Sequence, residues 1–269
     1  MAEDPWNREL REHIPKAFSS AWSRFQQQPE NDNGKTSKID VIVAYMSYVP
    51  FEGQCPGFLE QLPKKIHDEL RRIPCLLGTD EQWAVPSSLV LAQDEDYLHF
   101  LQLDPEVLKE MSLEVLHPQL AARLSIAQLC SLGVHVINSD LLLKLHTAYL
   151  AGGMRKGFEW FAFWFYAVAR LYKDTASDMG KERIRASLVR HKLFPLQTEK
   201  FVALGEDIYF PDEYYLAAKE GTVANTQQDQ PWLSDDIRSS LRILHSSILL
   251  PLDKNQRSFV ISILQDLFS

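Results

Sequence analysis

Cysteine and glycine are scarce in this chain, and each scarcity removes a class of chemistry. The three cysteines, Cys55, Cys75 and Cys130, stand far apart with no CxxC pair. Neither a zinc site nor a disulfide framework is indicated, and unpaired thiols fit a reducing compartment. With 11 glycines in 269 residues, there is no GxGxxG and no complete phosphate loop. Asn33-Gly34-Lys35-Thr36 ends like GxxxxGK[ST], but Pro29 stands where the first glycine should be, so a solvent loop is the better reading. HExxH and GxSxG are absent too, which leaves the usual zinc-protease and serine-hydrolase arguments without a motif. His117, His135 and His146 fall in one region without metal-ligand spacing on a helix. Asp94-Glu95-Asp96 lacks the further ligand and glycine of a calcium loop. No catalytic, cofactor-binding or metal-binding residue is therefore assigned.

Long apolar runs are also missing. The most apolar stretch, Phe158 to Leu171, carries Glu159 and Arg170 and falls short of the roughly 20 residues that span a bilayer. It is expected to be a buried core helix, and no membrane partner is expected. The opening MAEDPWNREL has neither the basic region nor the apolar stretch of a signal peptide, so an intracellular chain is expected. A net charge of -8, from 36 acidic against 28 basic side chains, argues against a protein whose main task is coating nucleic acid. Lys181 to Lys192 (KERIRASLVRHK) is a local exception, read first as a solvated basic helix face.

What the chain does have is a pattern written twice. In Leu70 to Leu91 (LRRIPCLLGTDEQWAVPSSLVL) and in Leu188 to Pro211 (LVRHKLFPLQTEKFVALGEDIYFP), a basic helix runs into a proline, Pro74 or Pro195. Leucines then start a strand, a polar turn reverses it, and an aromatic, Trp83 or Phe201, opens the return. Proline is expected to stop each helix, and Trp83 and Phe201 are expected to be structural anchors of the hairpins.

Around these units the periodicity is helical. Trp6, Leu10, Ile14, Phe18, Trp22 and Phe25 recur every three or four residues, with Pro15 placed to kink or divide the helix. Gln26 to Lys38 has no apolar residue and reads as a surface loop. Ile39 to Tyr48 fits both strand and helix. Helices are expected from Pro63, from Pro105, over Gln119 to Ser131 and over Asp140 to Leu150, with a short strand at Gly133 to Ile137. Pro211 should start a helix, Ser234 should cap another, and Asp253 with Gln256 should form a capping box on the last. The fold class is α+β, mostly helical and elongated, with two repeated helix-proline-hairpin units. Ala151-Gly152-Gly153 divides a first module, 1–150, from a second, 151–269, unless the two form one continuous domain.

Four segments, PWNRELREHIPKAF, AYMSYVPFEGQCPGFLEQLP, IPCLLGTDEQWAVPSSLVL and IYFPDEYYLA, occur in an order that resembles the plant NO VEIN proteins and, more remotely, the repeat regions of sacsin. In that family these segments lie downstream of a histidine-kinase-like, Hsp90-like ATPase domain. The resemblance implies a role in plant development and a place beside such a domain. It does not bring the nucleotide site with it, because the chain has no DxGxG, and the ExxxN spacing of Glu3 and Asn7 means little without that turn.

The expected function is a non-catalytic scaffold or chaperone-like module whose partners are other proteins or an ATPase domain of the same family. Tyr209, Phe210, Tyr214 and Tyr215 form the densest aromatic cluster expected at a surface, and so the candidate protein-interaction site. The alternative is a small enzyme or nucleotide-binding protein whose site is assembled from distant residues. A nucleic-acid adaptor working through Lys181 to Lys192 is a third reading.

Overall fold

A computed structural model describes residues 5–26, 37–50, 61–196, 200–203 and 244–268, with side chains from His13 onward. The architecture is α+β and mostly helical, with small sheets. Contacts divide the chain into two compact units, Met1–Leu101 with Leu108–Ile137, and Gln102–Val107 with Asn138–Ser269. The division falls between Ile137 and Asn138, ahead of the glycine break at Gly152 and Gly153.

In the first unit, α1 (Pro5–Gln26) runs unbroken through Pro15, so the proline neither ends nor divides it. Helix α2 (Lys38–Ser47) settles the ambiguous segment. The Ser37 hydroxyl accepts from the Asp40 backbone N–H while the Asp40 carboxylate returns a bond to the Ser37 N–H, and Ile39, Ile42 and Met46 are buried at helical spacing. Helix α3 (Leu62–Leu70) has Pro63 in its first turn and buries Leu62, Ile66 and Leu70. It ends at Leu70 with Arg71 as its cap, four residues before Pro74. The proline therefore does not stop the helix.

The hairpin follows as β1 (Leu76–Leu77) antiparallel to β2 (Trp83–Ala84). It is shorter than the repeated sequence. After a 3-10 turn at Pro86–Ser88, the run Leu89–Leu91 leaves the hairpin and becomes β3, the middle of a separate parallel sheet. Its neighbours are β4 (Glu114–Val115) and β5 (His135–Val136), in register through Val90 to both Val115 and His135. Parallel strands need crossover connections, and helices supply them: α4 (Glu95–Leu103) and α5 (Pro105–Glu110) before β4, then α6 (Pro118–Arg123) and α7 (Ile126–Leu132) before β5. The single helix expected over Gln119 to Ser131 is thus two, because Ser125 and Gln128 form a capping box that starts a new one. Gly133, at φ 93°, caps α7 in the left-handed region that glycine enters without a Cβ penalty.

The second unit is built on α8 (Ser139–Ala151), capped by Asn138, and α9 (Gly157–Asp174). The apolar run of α9 is the buried helix its composition implied, with Trp160, Phe161, Trp164, Phe165 and Val168 all at most 2% exposed. The Trp164 indole N–H donates to the Leu142 carbonyl at 2.9 Å, which satisfies the one polar atom of that side chain. Helix α10 (Asp178–Val189) stops three residues short of the basic segment's end. Lys192 already belongs to β6 (Lys192–Pro195), which pairs antiparallel with β7 (Phe201–Ala203). Pro195 is a strand residue, not a helix stop. A 3-10 turn at Ser246–Ile248 and α11 (Lys254–Phe268) complete the unit. Asp253 Oδ1 accepts from the Gln256 N–H at 2.9 Å, and Gln256 Oε1 accepts from the Asp253 N–H at 3.2 Å, forming the capping box of α11.

No helix among the described residues is long and apolar enough to cross a membrane. The helix expected from Pro211 and the cap at Ser234 lie outside the described residues, as does nearly all of the polar loop after Gln26.

Candidate functional site: the two hairpin units

The two hairpins share more than their sequence motif. In the first, the Gly78 N–H donates to the Gln82 carbonyl at 3.1 Å; in the second, the Leu196 N–H donates to the Lys200 carbonyl at 2.8 Å. Leu77 pairs with Trp83 and Pro195 with Phe201. Each first strand then gains a partner on its other edge, through the antiparallel bridges Gly78 to Leu116 and Leu196 to Leu244. The His117 N–H donates to the Leu77 carbonyl at 2.9 Å, and the His245 N–H donates to the Pro195 carbonyl at 3.0 Å. In each unit that histidine also starts the next turn. His117 Nδ1 accepts from the Gln119 N–H and His245 Nδ1 from the Ser247 N–H, both at 3.2 Å.

Each unit is therefore a hairpin closed by a Leu-His segment, Leu116-His117 or Leu244-His245. Sequence reading missed that third segment. Its signal, a Leu-His pair before a turn, is too short to recognise without the pairing. Proline at 195 fits this pattern because the bonds at that residue use its carbonyl, and its missing N–H costs no ladder bond.

The anchors are seated differently. Trp83 is half-buried and meets Trp22 edge to face at 5.4 Å. Trp22 is fully buried and its indole N–H donates to the Pro74 carbonyl at 2.9 Å, a bond that Gln26 Nε2 shares. The function of Pro74 in the structure is thus to present a carbonyl to α1. Trp22 was legible as one position of an apolar stripe, but not as the partner of the hairpin. Phe201, also half-buried, lies 5.7 Å from Phe161 and 6.4 Å from the imidazole of His146.

His146 is 2% exposed and its Nε2 has no hydrogen-bond partner among the described residues. Burial pushes its pKa down to about 4, with His191 adding to the fall and a hydrogen bond to the Leu193 backbone opposing it. The neutral ring works here as an aromatic wall between Trp164, at 4.9 Å, and Phe161, at 5.5 Å. Burial likewise pushes the Cys75 thiol up to about 12, which leaves it without thiolate reactivity near neutral pH.

The charge beside the two hairpins differs as well among the described residues. The Asp80 N–H donates to Glu114 Oε1 at 3.5 Å, and burial followed by the neighbouring Asp80 carboxylate raises the Glu114 pKa. The first turn is acidic. Around the second hairpin the exposed ionisable groups among the described residues are Arg190, His191, Lys192 and Lys200.

The other residues singled out by sequence have structural positions. Asp94 Oδ1 accepts from the Asp96 and Tyr97 N–H groups and caps α4. His135 Nε2 is hydrogen-bonded with the Ser87 carbonyl at 2.9 Å. Among the described residues no three His, Cys, Asp or Glu side chains are grouped so as to hold a metal. Tyr209, Phe210, Tyr214 and Tyr215 lie outside the described residues.

The chain is similar to Protein NO VEIN of Arabidopsis thaliana. The two are 26% identical over 213 residues, which cover 76% of this chain and 8% of the relative. This chain thus matches only a small part of a much longer protein. The alignment supports likeness to NO VEIN and nothing finer. No family model matches the chain, and no solved structure does.

Proposed function

We propose that this chain is a non-catalytic protein-interaction module, scaffold-like or chaperone-like, corresponding to the region that follows the ATPase domain in NO VEIN and sacsin-type proteins. The observation that carries the reading is the duplication. Two hairpins closed by Leu-His segments repeat a backbone pattern, and the side chain they share, the closing histidine, spends its Nδ1 on the backbone of the next turn. Repetition of a frame with varied surfaces suits recognition better than chemistry. Similarity to a small part of a large relative favours a module that works beside other domains. Nuclear or cytosolic residence and a role in plant development follow the same resemblance.

The test is to titrate the purified chain with ATP and magnesium by calorimetry, then with the ATPase domain of the relative. The expected result is no saturable nucleotide binding by the chain alone and a measurable complex with the ATPase domain, or a change in its turnover. Stoichiometric ATP binding by the chain in the micromolar range overturns the reading.

A further inference from the structure

Helix α10 buries Ile184 and Leu188 and turns its opposite side to solvent. Met179, Arg183, Ala186 and Arg190 follow one another at spacings of four, three and four residues. They form one outward strip about 16 Å long at 1.5 Å per residue. All four are exposed, Met179 at 67%, and Val189 beside them is 39% exposed. Few large apolar side chains are this open elsewhere among the described residues.

The cations of α10 divide into two sets. Lys181 lies over the Tyr172 ring at 5.4 Å, and Arg185 acts on the same tyrosine, so both are half-buried against the unit. Arg183 and Arg190 face outward. Arg183 Nη2 reaches Met179 Sδ at 3.6 Å, and no ion pair among the described residues engages Arg183, Arg190 or Lys192. Arg190 and Lys192 carry the positive charge on to the start of β6. Glu182 and the first-turn Asp178 are the exposed acids of the helix.

We propose that the outward face of α10, continued through Arg190 and Lys192, docks an acidic amphipathic helix of a partner protein. The inference rests on the protein-interaction reading above and names the partner class. A strip of Met179, Ala186 and Val189 offers the apolar contact that a second helix seats at its i, i+3, i+4 and i+7 positions. Arg183 and Arg190, along one side of it, are matched by carboxylates along the facing side of the partner's apolar edge. Nucleic acid is the less favoured occupant, since phosphate recognition gains nothing from the exposed methionine and valine and works against the net charge of -8.

The experiment uses the full chain and three probes: a synthetic amphipathic helix of about four turns with leucines on one edge and glutamates beside them, the same peptide with glutamine for glutamate, and a short DNA duplex. The glutamate peptide is expected to bind at least about 10-fold more tightly than the glutamine peptide. Binding should weaken about 10-fold or more in Arg183→Glu/Arg190→Glu and about 3-fold in Met179→Ser. Both variants change exposed positions, and unchanged thermal unfolding shows that they fold. Equal affinity for the two peptides, no loss on charge reversal, or DNA binding that displaces the peptide each overturns the proposal. If the ATPase domain binds wild-type and charge-reversed chains alike while the peptides fail, the surface is wrong and the module reading stands. ATP binding by the chain sinks the module reading separately.

Discussion

The two hairpins share their turn-closing and edge-closing backbone bonds and differ in their interiors, and the second alone has an irregular register, between Lys192 and Phe194. In the first, Trp83 leans on Trp22, and the Trp22 indole ties α1 to the carbonyl of Pro74. In the second, Phe201 leans on Phe161 and a neutral, buried His146. What repeats is the set of main-chain partners: turn closure at Gly78 or Leu196, and edge closure by Leu116-His117 or Leu244-His245. A lone hairpin with strands of two to four residues has too few ladder bonds to hold itself, so each hairpin depends on its closing segment and on the helix it packs against. Side chains can then diverge while the frame stays, because backbone bonding sets the frame and packing needs only volume.

The largest perturbation of this comparison is Trp22→Ala. It removes a fully buried ring and the bond to Pro74, and should cost about 3 to 5 kcal/mol. Urea denaturation measures the cost, with hydrogen exchange showing the loss around the first hairpin and not the second. Exchange rising equally at both would mean the units are not separate in energy.

Acid should do to the second unit what Trp22→Ala does to the first. His146 has a folded pKa of about 4 against 6.5 for an ordinary histidine. The unfolded chain therefore takes up a proton that the folded one refuses between those values. Its stabilising contribution is complete above pH 6.5 and is lost as the pH falls towards 4, by up to about 3 kcal/mol. His146→Phe should flatten that part of the stability–pH curve. An unchanged slope would reassign the acid sensitivity.

Third come the anchors. Both are half-buried, so Trp83→Ala and Phe201→Ala should each cost about 2 kcal/mol, roughly half of the value for full burial. A smaller effect is expected at the closing histidines. His117→Ala should cost about 1 kcal/mol for its lost cap, and His245→Ala somewhat more, because the His245 ring also stacks on Phe158 at 4.0 Å. Thermal unfolding of the two variants ranks them, and a cheaper His245→Ala contradicts the stacking assignment.

The smallest is Gly78→Ala. A Cβ there would overlap the Glu114 carboxylate, which is the flexible end of a partly exposed side chain and can move aside. The expected cost is under about 1 kcal/mol, vanishing in a Glu114→Ala background by a double-mutant cycle. Leucine at the equivalent position, Leu196, fits that tolerance.

The hairpins were legible because their signals are local: a polar turn between apolar pairs, with an aromatic at the return. The capping box at Asp253 and Gln256 and the aromatic helix were legible for the same reason. Of the parallel sheet only β5 was legible, inside the strand expected over Gly133 to Ile137; β4 has two residues, and no periodicity can be read from two residues. Pro74 and Pro195 misled because proline marks where a helix cannot continue, while α3 and α10 had already ended at Leu70 and Val189, several residues earlier. The Trp22 indole bond and the closing histidines join residues 52 and 40 positions apart or more, where a sequence has no short-range pattern to show.

By itself the sequence determined the helical stripes, the turns, the two places where a strand reverses and the lack of any motif for metal or phosphate chemistry. Each follows from steric and hydrogen-bonding preferences within a few residues. Only the tertiary structure decided which segment closes each hairpin, that α8 groups with the second unit, that His146 stays neutral, and that Arg183 and Arg190 face outward while Lys181 and Arg185 do not. Those outcomes depend on which surfaces lose water together, and desolvation is a property of the packed chain.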